Sequence, residues 1–334
     1  MATRALGIVA GAIMSAIVAG GLPHAANAQH VLKLAFAGNE GSPYDTFAKE
    51  FSKEIERLTN GAVKGRIFCC FKMGSEEETF KKLQLGTLDG TLIAQNNAGP
   101  FYPKIDLMVL PYIFQNYEHA VKVLDGPIGK KIWSDMPEKA DVHLIKVFSI
   151  AFRHIYNTKT EIKSIDDFKR LKYRVPKNVV MIDTYKAFGN DPIPLPWGET
   201  LTATQTGTVD GGDLPVDIIY YQKFYEVAKH VALTGHFALA PPFFVADKFM
   251  KKLTPEQREA IYKAADIAAA ISRKQTVDDE EGLIKILKEK HGVKFTEPDK
   301  APFIAAAAKV QEAFAKERGA DYLELVKEIQ AAAK

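Results

Sequence analysis

The chain has 334 residues, with 44 lysines and arginines against 41 acids, a formal net charge of +3 and two cysteines. There is no basic run, no basic–aromatic interleaving and no acidic tail, so nucleic acid is not an expected partner. The two cysteines, Cys69 and Cys70, are adjacent and offer no disulfide framework; they read as two packed thiols, a strained vicinal bridge being the alternative.

Residues 1–28 read as a secretory signal peptide. Arg4 supplies the positive start, Ala5–Leu22 the apolar core, and Ala26-Asn27-Ala28 a small-x-small cleavage site. Gly20, Gly21 and Pro23 interrupt the core, which disfavours a membrane anchor. The mature chain is therefore expected to be exported to the periplasm.

The first predicted strand is "VLKLAFAG", Val31–Gly38. A helix follows over Pro43–Thr59, where Phe47, Phe51, Ile55 and Leu58 recur at three- and four-residue spacing. Asn60-Gly61 turns the chain into a second strand. Ser75 caps a helix over Glu76–Leu85, whose first-turn acids suit the helix dipole. Gly86 ends that helix and Thr91–Ala94 forms a short strand. Strand–helix alternation of this kind predicts an α/β fold with a largely parallel sheet.

The second half repeats the plan. "QLGTLDG" ends at Gly90 and "QTGTVDG" at Gly211, each at the same point of a helix–turn–strand unit. Gly86 and Gly207 fall where a helix closes with a residue at positive φ. The echo predicts two lobes of similar design, lobe I at 29–150 plus about 240–278 and lobe II at about 151–239 plus 279–334. Thr254, Pro255 and Gln257 form a capping box that opens a helix with no internal proline up to about Lys290. A helix of that length either runs along both lobes or breaks near Thr276–Gly282. The tail reads as two helices, Pro302–Arg318 and Asp321–Ala333, separated by Gly319.

The sequence contains no nucleophile elbow, zinc-protease helix, phosphate loop or dinucleotide fingerprint. His154 is read as structural. The arginines are more informative. Arg153 interrupts an apolar strand, Phe148–Asn157, and a buried charge needs a partner. In "LKYRVP", Leu171, Tyr173 and Val175 share one face, and Arg174 takes the other. A Ser164-capped turn joins the two strands. Read as parallel neighbours, they place both guanidinium groups at one end of a sheet, where small ligands bind in open α/β folds. Two readings stay open: both arginines pair with local acids, or both grip a carboxylate. Trp197, in "PLPWGET", is either a pocket wall or a core cap.

From Phe152 to Pro215 the words "FRHIYNTKTEIKSIDDFKRLKYRVP" and "KAFGNDPIPLPWGETLTATQTGTVDGGDLP", with "LQLGTLDGTLIA" and "VLPYIFQNYEHAVKVLDGPIGKKI" earlier, resemble the solute-binding proteins of tripartite ATP-independent periplasmic (TRAP) transporters, the C4-dicarboxylate-binding protein family. The resemblance spans nearly the whole mature chain. It implies a two-lobed periplasmic binding protein fold, each lobe a mixed, mostly parallel sheet flanked by helices, with one long helix bridging both. It also implies capture of a carboxylate-containing organic acid in the cleft and delivery to a membrane permease driven by an ion gradient. By position, Arg174 matches the principal carboxylate-binding arginine, Arg153 the second, and Trp197 the aromatic that packs on the ligand. Gln95, Asn96 and Asn39 fall in first-lobe loops facing the cleft.

Where the family has a Glu-Asn-Pro ending, this chain has "DGGDLP": Asp213 replaces the acid, and Leu214 replaces a ligand-binding amide. Leu214 and Trp197 together point to an acid with some apolar bulk. No catalytic residue, cofactor or metal is implied. A monomer is expected, because delivery needs a free cleft. The competing functions are a receptor for an ATP-driven importer, an exported enzyme acting on an organic acid, and a ligand sensor.

Overall fold

The computed structural model describes Met1 and residues 29–333. The leader expected over residues 1–28, Met1 aside, and its cleavage site lie outside the described residues. Eleven strands follow in order among the described residues: β1 His30–Phe36, β2 Val63–Phe68, β3 Gly90–Leu92, β4 Val142–Val147, β5 Ala151–Asn157, β6 Arg174–Val175, β7 Ile193–Pro194, β8 Gly211–Leu214, β9 His230–Leu239, β10 Pro242–Ala246 and β11 Lys294–Thr296. They form a first sheet in the order β2-β1-β3-β10-β4, a second in the order β11-β9-β5-β8, and a small β6-β7 ribbon. The ribbon joins the edge of the second sheet through a parallel bridge between Tyr173 and Gly211.

The two lobes are α/β and mixed, but parallel pairing does not dominate. β1 is parallel to β2 and β3, β9 to β11, and β6 to β7. β10 is antiparallel to β3 and β4, and β5 to β8 and β9. The physical reason is the chain path. β4 runs out of the first sheet and continues within a few residues as β5 of the second; β9 returns almost directly as β10. These outgoing and returning strands pair with each other in both sheets, and a chain that crosses and comes back must pair antiparallel.

The helix Pro43–Leu58 forms as its spacing predicts, with Phe47, Phe51 and Ile55 fully buried. Phe47 and Phe51 meet Phe243 of β10 edge-on, at ring separations of 5.4 and 4.6 Å. The repeated glycines do what their positions require. Gly86 and Gly207 sit at φ of 72° and 74°, and β3 and β8 begin at Gly90 and Gly211.

The long helix is unbroken from Pro255 to His291, 37 residues and therefore about 55 Å. Its capping box is complete, with the Gln257 N–H donating to Thr254 Oγ1 and the Thr254 N–H donating to Gln257 Oε1. Ala260, Ala264, Ala265 and Ala268 are buried in the main core. Further along, Leu283 and Leu287 join a second core with Tyr156, Phe224 and Val231. One helix thus serves both lobes. The tail divides between the lobes, whereas the sequence reading put it with lobe II. Ala301–Arg318 packs on the second-lobe helix Val179–Ala187, while Ala320–Ala331 returns to the first. There the Ile329 carbonyl lies 2.8 Å from His119 Nε2, and Glu328 pairs with Lys131. The final turn is anchored by apolar burial of Leu325, Val326 and Ile329 in the main core.

Candidate ligand-binding cleft

β5 and β6 are not parallel neighbours, because β8 lies between them and runs antiparallel to β5. That orientation is what brings the arginines together. The start of β5, carrying Arg153, lies at the same end of the sheet as Leu214 at the end of β8, and Arg174, which opens the two-residue β6, lies beside them. All three line one cavity between the lobes, of about 630 Å³ with its mouth included, within the range of small-molecule sites.

Arg174 is 3% exposed. Its Nε and Nη2 both donate to the Leu195 carbonyl, at 3.0 and 2.7 Å. That contact orients the guanidinium but supplies no charge, and among the described residues no carboxylate pairs with it. Burial, reinforced by the positive Arg153, pulls its pKa down to about 10. Trp197 lines the cavity beside it, with its ring 6.0 Å from the guanidinium centre and stacked on Phe224.

Arg153 is equally buried but has a partner. Its Nε donates to Asp213 Oδ2 at 2.7 Å, and its Nη2 reaches the Asp213 carbonyl and Oδ1 at 2.7 and 3.2 Å. Burial alone would raise the Asp213 pKa, but Arg153 and His236, 3.5 Å away, hold that carboxyl well below the usual range. Asp213 is therefore behind the site rather than in it: it does not line the cavity, and it fixes Arg153 from below.

The first-lobe expectations separate in the same way. Asn96 lines the cavity. Gln95 does not; its side chain donates to the Ala238 carbonyl and accepts from the Ala240 N–H, which clamps the crossing between β9 and β10. Asn39 also lies outside. Its Nδ2 donates to the Tyr221 carbonyl across the cleft, at 3.0 Å. Asn178 makes a second such tie, donating to the Asn96 carbonyl and to Asp106 Oδ1. These cross-lobe bonds describe lobes closed on each other.

The sequence reading missed the acidic half of the cavity. Glu76 opens the Ser75-capped helix and is buried; its carboxylate accepts from the Ala94 N–H at 3.1 Å and from Asn97 Nδ2. Burial pushes its pKa up to about 7. Asp217 stands in the first turn of the helix Val216–Tyr221 and accepts from the Ile218 N–H at 2.8 Å. Burial, with Asp279 and Glu280 adding negative charge, pushes it up to about 7 as well. Both residues occupy first turns, where acids are common for dipole reasons alone, so the pattern gave no cause to select them. Tyr44, half-buried, also lines the cavity and feels the charges of Glu76 and Asp217.

The profile of the bacterial extracellular solute-binding proteins, family 7, matches residues 35–317. The chain belongs to that family. A "Solute-binding protein" of Verminephrobacter eiseniae is 33% identical over 306 residues, covering 91% of each chain. The solved TRAP periplasmic solute-binding protein from Polaromonas sp. JS666, bound to D-erythronate, is 34% identical with a TM-score of 0.86, covering 91% of this chain and 99% of that one. A further TRAP binding protein, from Pseudomonas putida F1 with bound D-glucuronate, is 29% identical with a TM-score of 0.85, covering 90% and 97%. The chain is accordingly an extracellular solute-binding protein of the TRAP type.

Proposed function

We propose that the cleft takes one polyhydroxylated organic acid, of the aldonic or uronic type, with its carboxylate on Arg174. The observation that carries this reading is a buried guanidinium, already oriented by a backbone carbonyl, with no carboxylate paired to it among the described residues. Arg153 is the second donor, held in place by Asp213, and Trp197 packs against the bound acid. Leu214 gives an apolar floor. Asn96 and the groups around Glu76, Tyr44 and Asp217 receive hydroxyls, which a plain apolar acid would leave unpaired. The expectation of apolar bulk from Leu214 and Trp197 therefore gives way to a polar chain. The erythronate and glucuronate on the solved relatives support the same class.

Asn39 and Asn178 hold the lobes together over the ligand, and Gln95 steadies the crossing strands. The mature protein, cut after Ala28, acts as a monomer in the periplasm and passes the acid unchanged to the permease. The test is calorimetry and thermal shift on protein unfolded and refolded to remove carried ligand, against aldonic, uronic, aromatic and aliphatic acids. A ligand at 100 times its Kd raises stability by about 2.7 kcal/mol. Stabilisation by sugar acids and not by their neutral alditols is the expected result. Shifts with neutral sugars alone would overturn the reading.

A further inference from the structure

The charges that line the cleft differ in how they are paired. Arg153 is neutralised by Asp213 at 2.7 Å, which leaves Arg174 as the one unpaired cation among the lining residues. Among the described residues no lysine or histidine lines the cavity, and the carboxyls there, Glu76 and Asp217, are both buried. Among the described residues that line the cavity, no cation beyond Arg174 and the neutralised Arg153 stands with these two groups. Asp217 faces Tyr44 and Tyr221 in the cavity and feels Asp279 and Glu280 of the long helix. Glu76 has Glu77 beside it on its own helix, feels Tyr44 and is drawn down only in part by the positive Arg174. A ligand with one carboxylate satisfies Arg174. A second carboxylate on the same ligand would be buried without a cation and would face acids.

We infer that Glu76 and Asp217 make this site selective for monocarboxylates, admitting a terminal hydroxyl where they reject a second carboxylate. The inference rests on the polyhydroxy-acid reading above and sharpens it: dicarboxylates, including the aldaric acids that share a sugar acid's whole carbon chain, are excluded. The physical basis is that a buried anion without a partner is costly and that like charges brought together in an interface cost several kcal/mol. A ligand hydroxyl, by contrast, donates to either carboxylate and accepts from its protonated form.

The sign of the pH dependence follows. Burial pushes both carboxyls up to about 7, so below that they are neutral and can donate to an incoming carboxylate. Above it they are charged and repel one. Each further unit of pH widens the discrimination by up to about tenfold per ionised group, while the ligands' own carboxylates stay ionised throughout.

The experiment uses pairs that differ only at the terminal carbon, D-gluconate with D-glucarate and D-erythronate with meso-tartrate, measured by calorimetry on refolded mature protein at pH 6.0 and 8.5. The monocarboxylate of the better pair is expected to bind at least about tenfold more tightly at pH 6.0 and at least about 100-fold more tightly at pH 8.5. Asp217→Asn and Glu76→Gln should each reduce the pH 8.5 ratio and flatten its pH dependence, with circular dichroism and melting confirming a folded variant. Should one of them fail to fold, the wild-type ratio at the two pH values still decides. Equal binding of the two members of a pair at pH 8.5, or a ratio that does not change with pH, overturns the selectivity while leaving sugar-acid binding intact. Binding of neither member of either pair overturns the sugar-acid reading itself and the selectivity with it.

Discussion

Arg153 and Arg174 stand at the same end of the second sheet, both inside the protein, in opposite electrostatic conditions. Arg153 meets Asp213 through three donor contacts, and Asp213 in turn has His236 behind it. Among the described residues Arg174 donates to the carbonyl of Leu195 and lies by the ring of Trp197, with no carboxylate paired to it. One guanidinium is part of the fold's own charge network. The other is held in position with its charge unanswered. A binding site needs both: a fixed donor that keeps its geometry whether or not ligand is present, and a buried charge whose compensation arrives with the ligand. Function here sits where the protein leaves an interaction unmade.

The strongest way to break this comparison is to remove the unanswered charge. Arg174→Met keeps length and apolar contact but strips the cation. Ligand affinity should fall by about two to four decades, from the roughly 3–5 kcal/mol cost of leaving a buried anion unpaired. The ligand-free protein should change little in stability, because relief of an uncompensated buried charge offsets the loss of the two hydrogen bonds to the Leu195 carbonyl. Calorimetry reads the first quantity and denaturant unfolding the second. A variant that bound normally, or one that lost stability along with binding, would show that Arg174 is structural after all.

The same operation on the paired side should have the reverse outcome. Asp213→Asn preserves shape but leaves Arg153 buried without its counter-charge. Stability should fall by about 3 kcal/mol, with affinity following only as far as Arg153 loses its orientation. The sign with pH can be worked out. Arg153 and His236 hold the folded-state pKa of Asp213 below its unfolded value of about 3.9. The stabilising pair is therefore fully present above about pH 4 and is lost as pH falls through the depressed value. Unfolding curves of wild type and variant should differ most at neutral pH and converge in acid.

How much of this was legible in the sequence depends on whether a residue's neighbours are local. The helix caps at Ser75 and Thr254, the positive-φ stops at Gly86 and Gly207 and the unbroken long helix follow from residues a few places apart, and they form as read. Arg153 and Arg174 stood out because a charge inside an apolar strand is locally anomalous. The pairing of Arg153 with Asp213 was not legible: it spans 60 residues and depends on β5 and β8 being antiparallel neighbours. Gln95 was placed in the cleft for the same reason, since its real partners on the returning strand are more than 140 residues away. Glu76 and Asp217 were hidden differently. Each has an ordinary local explanation as a first-turn acid, so nothing in the pattern marked it for a second task.

Trp197 gives the smallest effect and the finest distinction between the two arginines. Its ring stacks on Phe224 in the second core at 5.6 Å and lies 6.0 Å from the Arg174 guanidinium, so it is tied to the fold and to the unanswered charge at once. A cation over an aromatic face is worth about 0.5–2 kcal/mol, more where water is excluded. Trp197→Leu should therefore weaken ligand binding by about five- to tenfold, and Trp197→Phe, which keeps a ring, by less. Both variants lose some packing against Phe224, so a change in melting temperature alone decides nothing. The informative quantity is the difference between them in affinity at matched stability. A core cap would give equal affinities once stability is matched; a ring that holds Arg174 for its ligand would leave the phenylalanine variant the tighter binder.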